Sequence, residues 1–115
     1  MEQPTIDRAT YDELKETAGD DFVVELVDTF LVEAPRLLDD LRGAYEKRDA
    51  DVFRRTAHSL KSNGNTFGAR NFAAMAKDLE LGGIGPVEAA GGALIDALAA
   101  EFGRVATALK ELRNA

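Results

Sequence analysis

Apolar residues recur along this chain at three- and four-residue spacing, the period of a helix with one buried face. The longest such run is Val23, Leu26, Val27, Phe30, Leu31, Ala34, Leu37, Leu38, Leu41 and Tyr45. It predicts one helix from residue 20 or 21 to about 48. Pro35 lies inside this stripe, where a proline removes one hydrogen bond and crowds the preceding turn. Because the stripe is unbroken, a single kinked helix is expected rather than two. A short helix over residues 7–18 precedes it, with Asp7 as N-cap, Tyr11 and Leu14 as a small apolar side, and Gly19 as its stop. A third helix opens at Asp49 or Asp51 and is expected to end at Gly68. A fourth, over residues 71–81, turns Phe72, Met75, Ala76 and Leu79 inward, and GGIGP at 82–86 reads as a turn. The last helix, over residues 86–112, carries Leu94, Ile95, Leu98, Phe102, Val105, Leu109 and Leu112. Gly91 and Gly92 near its start each cost about 1 kcal/mol relative to alanine in a helix interior, which leaves open a regular helix that begins only after them. Strand-like alternation is missing. The expected fold is all-α, an antiparallel four-helix bundle with a short extra N-terminal helix.

Composition narrows what such a bundle can do. With 115 residues the chain has room for one core, so residues 1–115 are read as a single domain. A hydrophobic share of 45% against 30% charged argues against disorder. There is no cysteine and one histidine, which excludes disulfides and leaves no convincing metal-ligand set. The net charge of −7 disfavours nucleic acid and acidic membrane surfaces as partners. No apolar run approaches the roughly 20 residues that span a bilayer, and the polar start MEQPTIDRAT lacks the segments of a secretory leader, so a cytoplasmic protein is expected. No feature marks a dimerisation helix pair, and a monomer is the default. The sequence also has no glycine-rich nucleotide loop and no serine on a strained elbow.

The one histidine stands in AHSLKSNGNTFGA, residues 57–69. On a helical wheel of the third helix, Phe53, Thr56, Leu60, Gly64 and Phe67 fall about 120–200° from His58 and define the core side. Arg54, Arg55, Lys61, Ser62 and Asn65 fall within about 60° of it. His58, Lys61, Ser62 and Asn65 therefore occupy successive turns of one solvent face. An exposed imidazole is largely neutral and nucleophilic at neutral pH. Three cations beside it, in an acidic protein, favour an anion such as a phosphoryl group. Ser62 and Asn65 are poor helix formers with short side chains, and they leave the ring open to another protein. A lone exposed histidine is more often an ordinary surface residue, and the lysine, the arginines and the glycine are each unremarkable when taken singly.

Taken together, these residues resemble the signature of histidine-containing phosphotransfer (HPt) domains, roughly His-x-Leu-Lys-Gly-x-x-x-x-x-Gly-Ala with a small residue before the histidine. Ala57, His58, Leu60, Lys61, Gly68 and Ala69 match it. IDRATYDEL, the long second helix and MAKDLELGG are also similar to the family, so the resemblance spans essentially the whole chain. Ser62 stands where the family often has glycine; it remains small, and its hydroxyl can hydrogen-bond a phosphoryl group or the ring.

The resemblance implies a four-helix bundle working in a multistep phosphorelay. His58 would take a phosphoryl group from a receiver-domain aspartate and pass it to another receiver. Lys61 would lie beside the phosphoryl group and offset its charge. Arg54, Arg55, Ser62 and Asn65 would line the site or meet the receiver, and Gly68 would stop the helix. The protein would need no cofactor and have no kinase activity of its own, the magnesium ion being supplied by the partner receiver. Partners would be response-regulator receivers and a hybrid sensor histidine kinase, docking over the first helix and the exposed edge of the second. A competing reading is a helical adaptor or inhibitor that binds a kinase or receiver without carrying phosphate. A third is a piece of a larger kinase, against which Met1 and the self-contained helix set favour a free-standing protein.

Overall fold

Each amphipathic stripe folds as a helix and turns its apolar side inward. The computed structural model describes residues 5–114; residues 1–4, part of the polar start, lie outside them. The helices are α1 (Arg8–Ala18), α2 (Asp20–Lys47), α3 (Ala50–Thr66), α4 (Arg70–Gly82), α5 (Ile84–Ala89) and α6 (Ala93–Asn114). α2 packs on α3, α3 on α4, α4 on α6, and α6 returns to α2, closing an antiparallel four-helix bundle. α1 lies on α2 and α3, and α5 bridges α4 and α6.

The centre of the bundle is aromatic. Phe30 of α2 lies 5.2 Å from the Phe67 ring, 6.2 Å from Phe72 of α4 and 5.6 Å from Phe102 of α6. Two of these contacts are edge-on, the arrangement that aligns a ring edge with a neighbour's π face. α2 runs unbroken through Pro35, as the continuous stripe requires. Where proline leaves the Leu31 carbonyl without its helical partner, the burial of Phe30, Ala34 and Leu38 around it holds the segment helical.

The polar punctuation differs from expectation at several places. Asp49 caps α3, its side chain accepting from the Val52 amide at 3.2 Å. α3 ends at Thr66, before Gly68. Gly68, at φ 79°, is the left-handed residue just beyond the end. Its amide donates to Asn65 O (3.1 Å) and the Ala69 amide to Gly64 O (2.9 Å), the paired bonds of a Schellman stop. Asp7 is the N-cap residue of α1, as expected, but its side chain makes no capping hydrogen bond. Its carboxylate instead accepts from Thr10 Oγ1 (2.6 Å) and Arg70 (3.0 Å), while its amide donates to Gly68 O (2.8 Å). The first helix is thereby tied to the α3–α4 turn. The GGIGP segment is not a plain turn. Residues 84–89 make α5, with Pro86 in the first turn, where no helical N–H is needed. Gly91 (φ 64°) and Gly92 (φ 85°) then break the chain, so the last helix starts at Ala93 rather than Pro86. Leu94, placed in the core stripe by periodicity, is 40% exposed in the first turn of α6.

Gly68 has a second constraint besides its φ. A Cβ there would lie 2.9 Å from both the Asp7 carbonyl oxygen and Thr10 Cβ. Gly91 shares the left-handed φ but has nothing within 4 Å of such a Cβ. Gly91→Ala should cost only the backbone term of about 1–2 kcal/mol. Gly68→Ala should cost about 2–4 kcal/mol in urea unfolding, the excess reflecting displacement of α1. Asp7 has its own pH signature. The Thr10 hydroxyl and the Arg70 guanidinium hold its carboxyl below the ordinary 3.8, against the opposing effect of partial burial. A lowered folded pKa stabilises above the unfolded value and is lost as pH falls through the folded one. The stability advantage of wild type over Asp7→Asn should therefore be full at neutral pH and fade below about pH 3.8 in acid titration followed by circular dichroism.

Candidate functional site

The site begins with how closely α3 and α4 approach. On α3, Ala57 and Gly64 are buried, and Gly64 meets Phe72 of α4. On α4, Ala73 and Ala76 are buried. A Cβ at Gly64 would come within 2.8 Å of Phe72 Cδ1, so the Phe72 ring occupies space that only glycine leaves free. Ala57, directly before the histidine, is fully buried, which explains a small residue at that position.

This approach brings Glu80 of α4 to His58 of α3. His58 Nδ1 lies 2.9 Å from Glu80 Oε2, and Lys61 Nζ lies 2.9 Å from Glu80 Oε1. The carboxylate is 15% exposed, Lys61 24% and His58 55%. One half-sheltered carboxylate is thus shared between the imidazole and the lysine one turn further on. Lys61 Nζ lies at ion-pair distance from Oε1. Lys61 first, and His58 after it, hold the Glu80 carboxyl below its ordinary 4.5, outweighing the desolvation that acts the other way. An ionised carboxylate only accepts, so Nδ1 must carry the proton. Nε2 then holds the lone pair and, among the described residues, makes no hydrogen bond. The arrangement orients the imidazole, fixes its tautomer and leaves the Nε2 lone pair unengaged.

The other sequence-predicted residues fall around this centre. Arg54 and Arg55 are exposed, and both pair with Asp51, at 3.1 and 2.9 Å, instead of standing unpartnered beside the ring. Ser62 and Asn65 are exposed on the same outer face and leave open the approach to the ring. Gly68 ends the helix three turns on. The expected core side of α3 is buried as read, with Ala57 added to it. α2 and the C-terminal end of α3 enclose a groove lined by Leu26, Thr29, Phe30, Glu33, Asn63, Thr66 and Phe67. Among the described residues, no group of three or more acidic or histidine side chains is placed to hold a metal ion, and no helix is long and apolar enough to cross a membrane.

Glu80 went unread in the sequence. Its signal was present: Ala73 and Glu80 lie seven residues apart, on one face of the fourth helix, and Ala73 is buried. A carboxylate on that face has to meet α3.

The Hpt domain family matches the chain over residues 25–115. The chain belongs to this family. The crystal structure of histidine-containing phosphotransfer protein B (HptB) from Pseudomonas aeruginosa PAO1 is similar throughout. It has a TM-score of 0.86 and 32% sequence identity, with 98% of this chain and 97% of that one covered. Comparison with curated protein sequences gives no match. The chain is a histidine phosphotransfer protein of a phosphorelay, and the adaptor reading is not favoured. Members of this family are phosphocarriers that work with receiver domains and kinases.

The tautomer is directly measurable. Nitrogen-15 correlation spectra of the unphosphorylated protein at about pH 8 should show the His58 proton on Nδ1. In Glu80→Ala the population should move toward Nε2–H, and in Lys61→Ala it should stay on Nδ1. A wild-type spectrum dominated by Nε2–H would rule out the carboxylate as the orienting group.

Proposed function

We propose that His58 is the residue that carries the phosphoryl group, through Nε2, between receiver domains. The observation that supports this most is that the chain's only histidine is half exposed, with Nδ1 engaged by Glu80 and Nε2 left for attack. In the accepting step, the Nε2 lone pair attacks the phosphorus of a receiver's aspartyl phosphate. The P–O bond to the aspartate breaks, and its carboxylate leaves with the electron pair. The reverse sequence delivers the group to a second receiver.

Lys61 is the cation best placed for the arriving charge, since it lies one turn from His58 and is already held near the ring. Arg54 and Arg55 sit further back, and an approaching acidic surface can draw them from Asp51. Exposed ion pairs of this kind are worth little on their own, so such exchange is inexpensive. Ser62 and Asn65 keep the ring accessible. The receiver brings its own divalent cation, magnesium, and its acidic pocket; this chain adds a nucleophile and a cation and has no kinase activity of its own. The whole chain, α1 included, acts as one phosphotransfer unit, a monomer in the cytoplasm. Docking covers the α2 edge and the groove between α2 and α3, with α1 at its margin. A hybrid sensor kinase stands upstream through its receiver.

The test is transfer from a phosphorylated receiver domain. Wild type should acquire an acid-labile, base-stable label that His58→Gln lacks while remaining folded. Lys61→Ala should keep the label but acquire it roughly ten- to a hundred-fold more slowly, the scale of one lost charge-assisted contact of about 1.5–3 kcal/mol. Binding of receivers with no label on wild type would exclude the carrier role.

A further inference from the structure

The Glu80 carboxylate lies on the side of the imidazole away from the reacting nitrogen, so it stays in place whether or not Nε2 is phosphorylated. Phosphorylation changes what Glu80 is paired with. Before it, the carboxylate is shared by a neutral Nδ1–H and the Lys61 ammonium. Attack by Nε2 on a phosphoryl donor consumes the ring's lone pair and moves no proton, so the product ring keeps Nδ1–H and becomes cationic. The phosphoryl oxygens meanwhile draw Lys61 toward themselves, and Glu80 is left to the imidazolium alone.

We propose that Glu80 is a positioning residue for discharge, holding the proton on Nδ1 of phosphorylated His58 so that the ring can leave as a neutral imidazole. The inference rests on the reading of His58 as the phosphoryl carrier. In discharge the acceptor oxygen attacks phosphorus, the P–N bond breaks, and its electron pair returns to Nε2. With Nδ1 protonated the leaving group is neutral imidazole. Without that proton it is imidazolate, a far stronger base and a poor leaving group. A relay needs the first state, because a phosphohistidine that loses its ring proton holds its phosphoryl group. An anion at hydrogen-bond distance favours retention of the proton, and a neutral amide favours it much less.

The charged groups around the ring are few. From α4 there is Glu80, and among the described residues Lys77, one turn before it, forms no ion pair. From α3 there are Lys61, held by Glu80, and Arg54 and Arg55, held by Asp51. Among the described residues, no ion pair joins α1 or α2 to His58. Glu80 is therefore the group expected to set the pH range over which the phosphorylated ring discharges. Lys61 has the opposite tendency, since it fixes the phosphoryl group in place.

The experiment loads the full chain with phosphoramidate, a small-molecule phosphoryl donor, and follows loss of phosphohistidine to water by phosphorus-31 NMR from about pH 6 to about pH 9. Wild type and Glu80→Gln should discharge alike at about pH 6, where the ring is protonated in both. At about pH 9 Glu80→Gln should discharge about ten-fold more slowly, the effect of a one-unit loss in proton retention. The same comparison in a Lys61→Gln background removes any gain that Glu80→Gln makes by freeing Lys61 for the phosphoryl group, and the pH-dependent gap should persist there. Profiles that coincide across the range, or a gap that vanishes in the Lys61→Gln background, would overturn the proposal. If wild type takes no phosphoryl group on His58, the carrier reading itself fails, and that outcome is distinct from either of these.

Discussion

The close approach of α3 to α4 is the constraint on which the site depends. Helix spacing is set by the side chains at the contact, and here the buried residues of the two helices include the small Ala57, Gly64, Ala73 and Ala76, with Gly64 making room for Phe72. A larger residue at any of these positions would push the helices apart by an amount comparable to a hydrogen bond's tolerance. The His58–Glu80 and Lys61–Glu80 contacts, both at 2.9 Å, would then be lost together. The aromatic cluster of Phe30, Phe67, Phe72 and Phe102 sits behind this seam and fixes it from the core side. The geometry of an exposed nucleophile is thus set by buried packing, which explains how a solvent-facing ring keeps one orientation.

The electrostatics follow from the same seam. A carboxylate next to a phosphoryl acceptor looks unfavourable, since it repels the incoming anion. Two features reduce that cost. The carboxylate touches Nδ1, on the far side of the ring from Nε2, and it brings Lys61 with it. The unphosphorylated site is locally balanced, with a neutral imidazole beside a carboxylate–ammonium pair. With a phosphoryl group on Nε2, as proposed, the site would pair an imidazolium with the carboxylate and the ammonium with the phosphoryl group. Each added charge finds an opposite one already within one helical turn, so no ion has to be recruited from solvent. That suits a carrier that must not hold its cargo too tightly in either direction.

Much of the fold was legible because a 3.6-residue period and strong turn residues leave little freedom. The long α2 stripe, Asp49 at the start of α3, and the outward face of His58 all follow from spacing. The misreadings share a cause: each required knowing which distant segment lies alongside. Asp7 has the composition of an N-cap but is claimed by Gly68 and Arg70, more than sixty residues away in the chain. Gly68 reads as a simple stop, yet it also makes room for α1. Leu94 fits the α6 stripe by spacing yet is 40% exposed, while its neighbour Ile95 is buried. Glu80 went unread because the histidine motif lies entirely on α3, and its partner comes from the next helix. The paired Asp51 was missed for a related reason, since a wheel that groups the cations of one face does not ask what neutralises them.

The outer surface completes the argument for a carrier. A binding module needs shape and contact area, and any nearby side chain can supply them. Here the chain invests in a different property. Ser62 and Asn65 on the face of the ring are short and exposed, which reduces contact, while the sheltered Glu80 orients one nitrogen. Ser62 and Asn65 contribute little to helix stability at their positions. Glu80 and Lys61 are partly withdrawn from water, where keeping charges is costly unless they are paired. An adaptor gains nothing from an oriented imidazole at the centre of a deliberately open face. A nucleophile that must meet the phosphorylated aspartate of another protein requires both features. The ring must project far enough to reach into that protein's pocket, and its back must be held so that Nε2 points outward when it arrives.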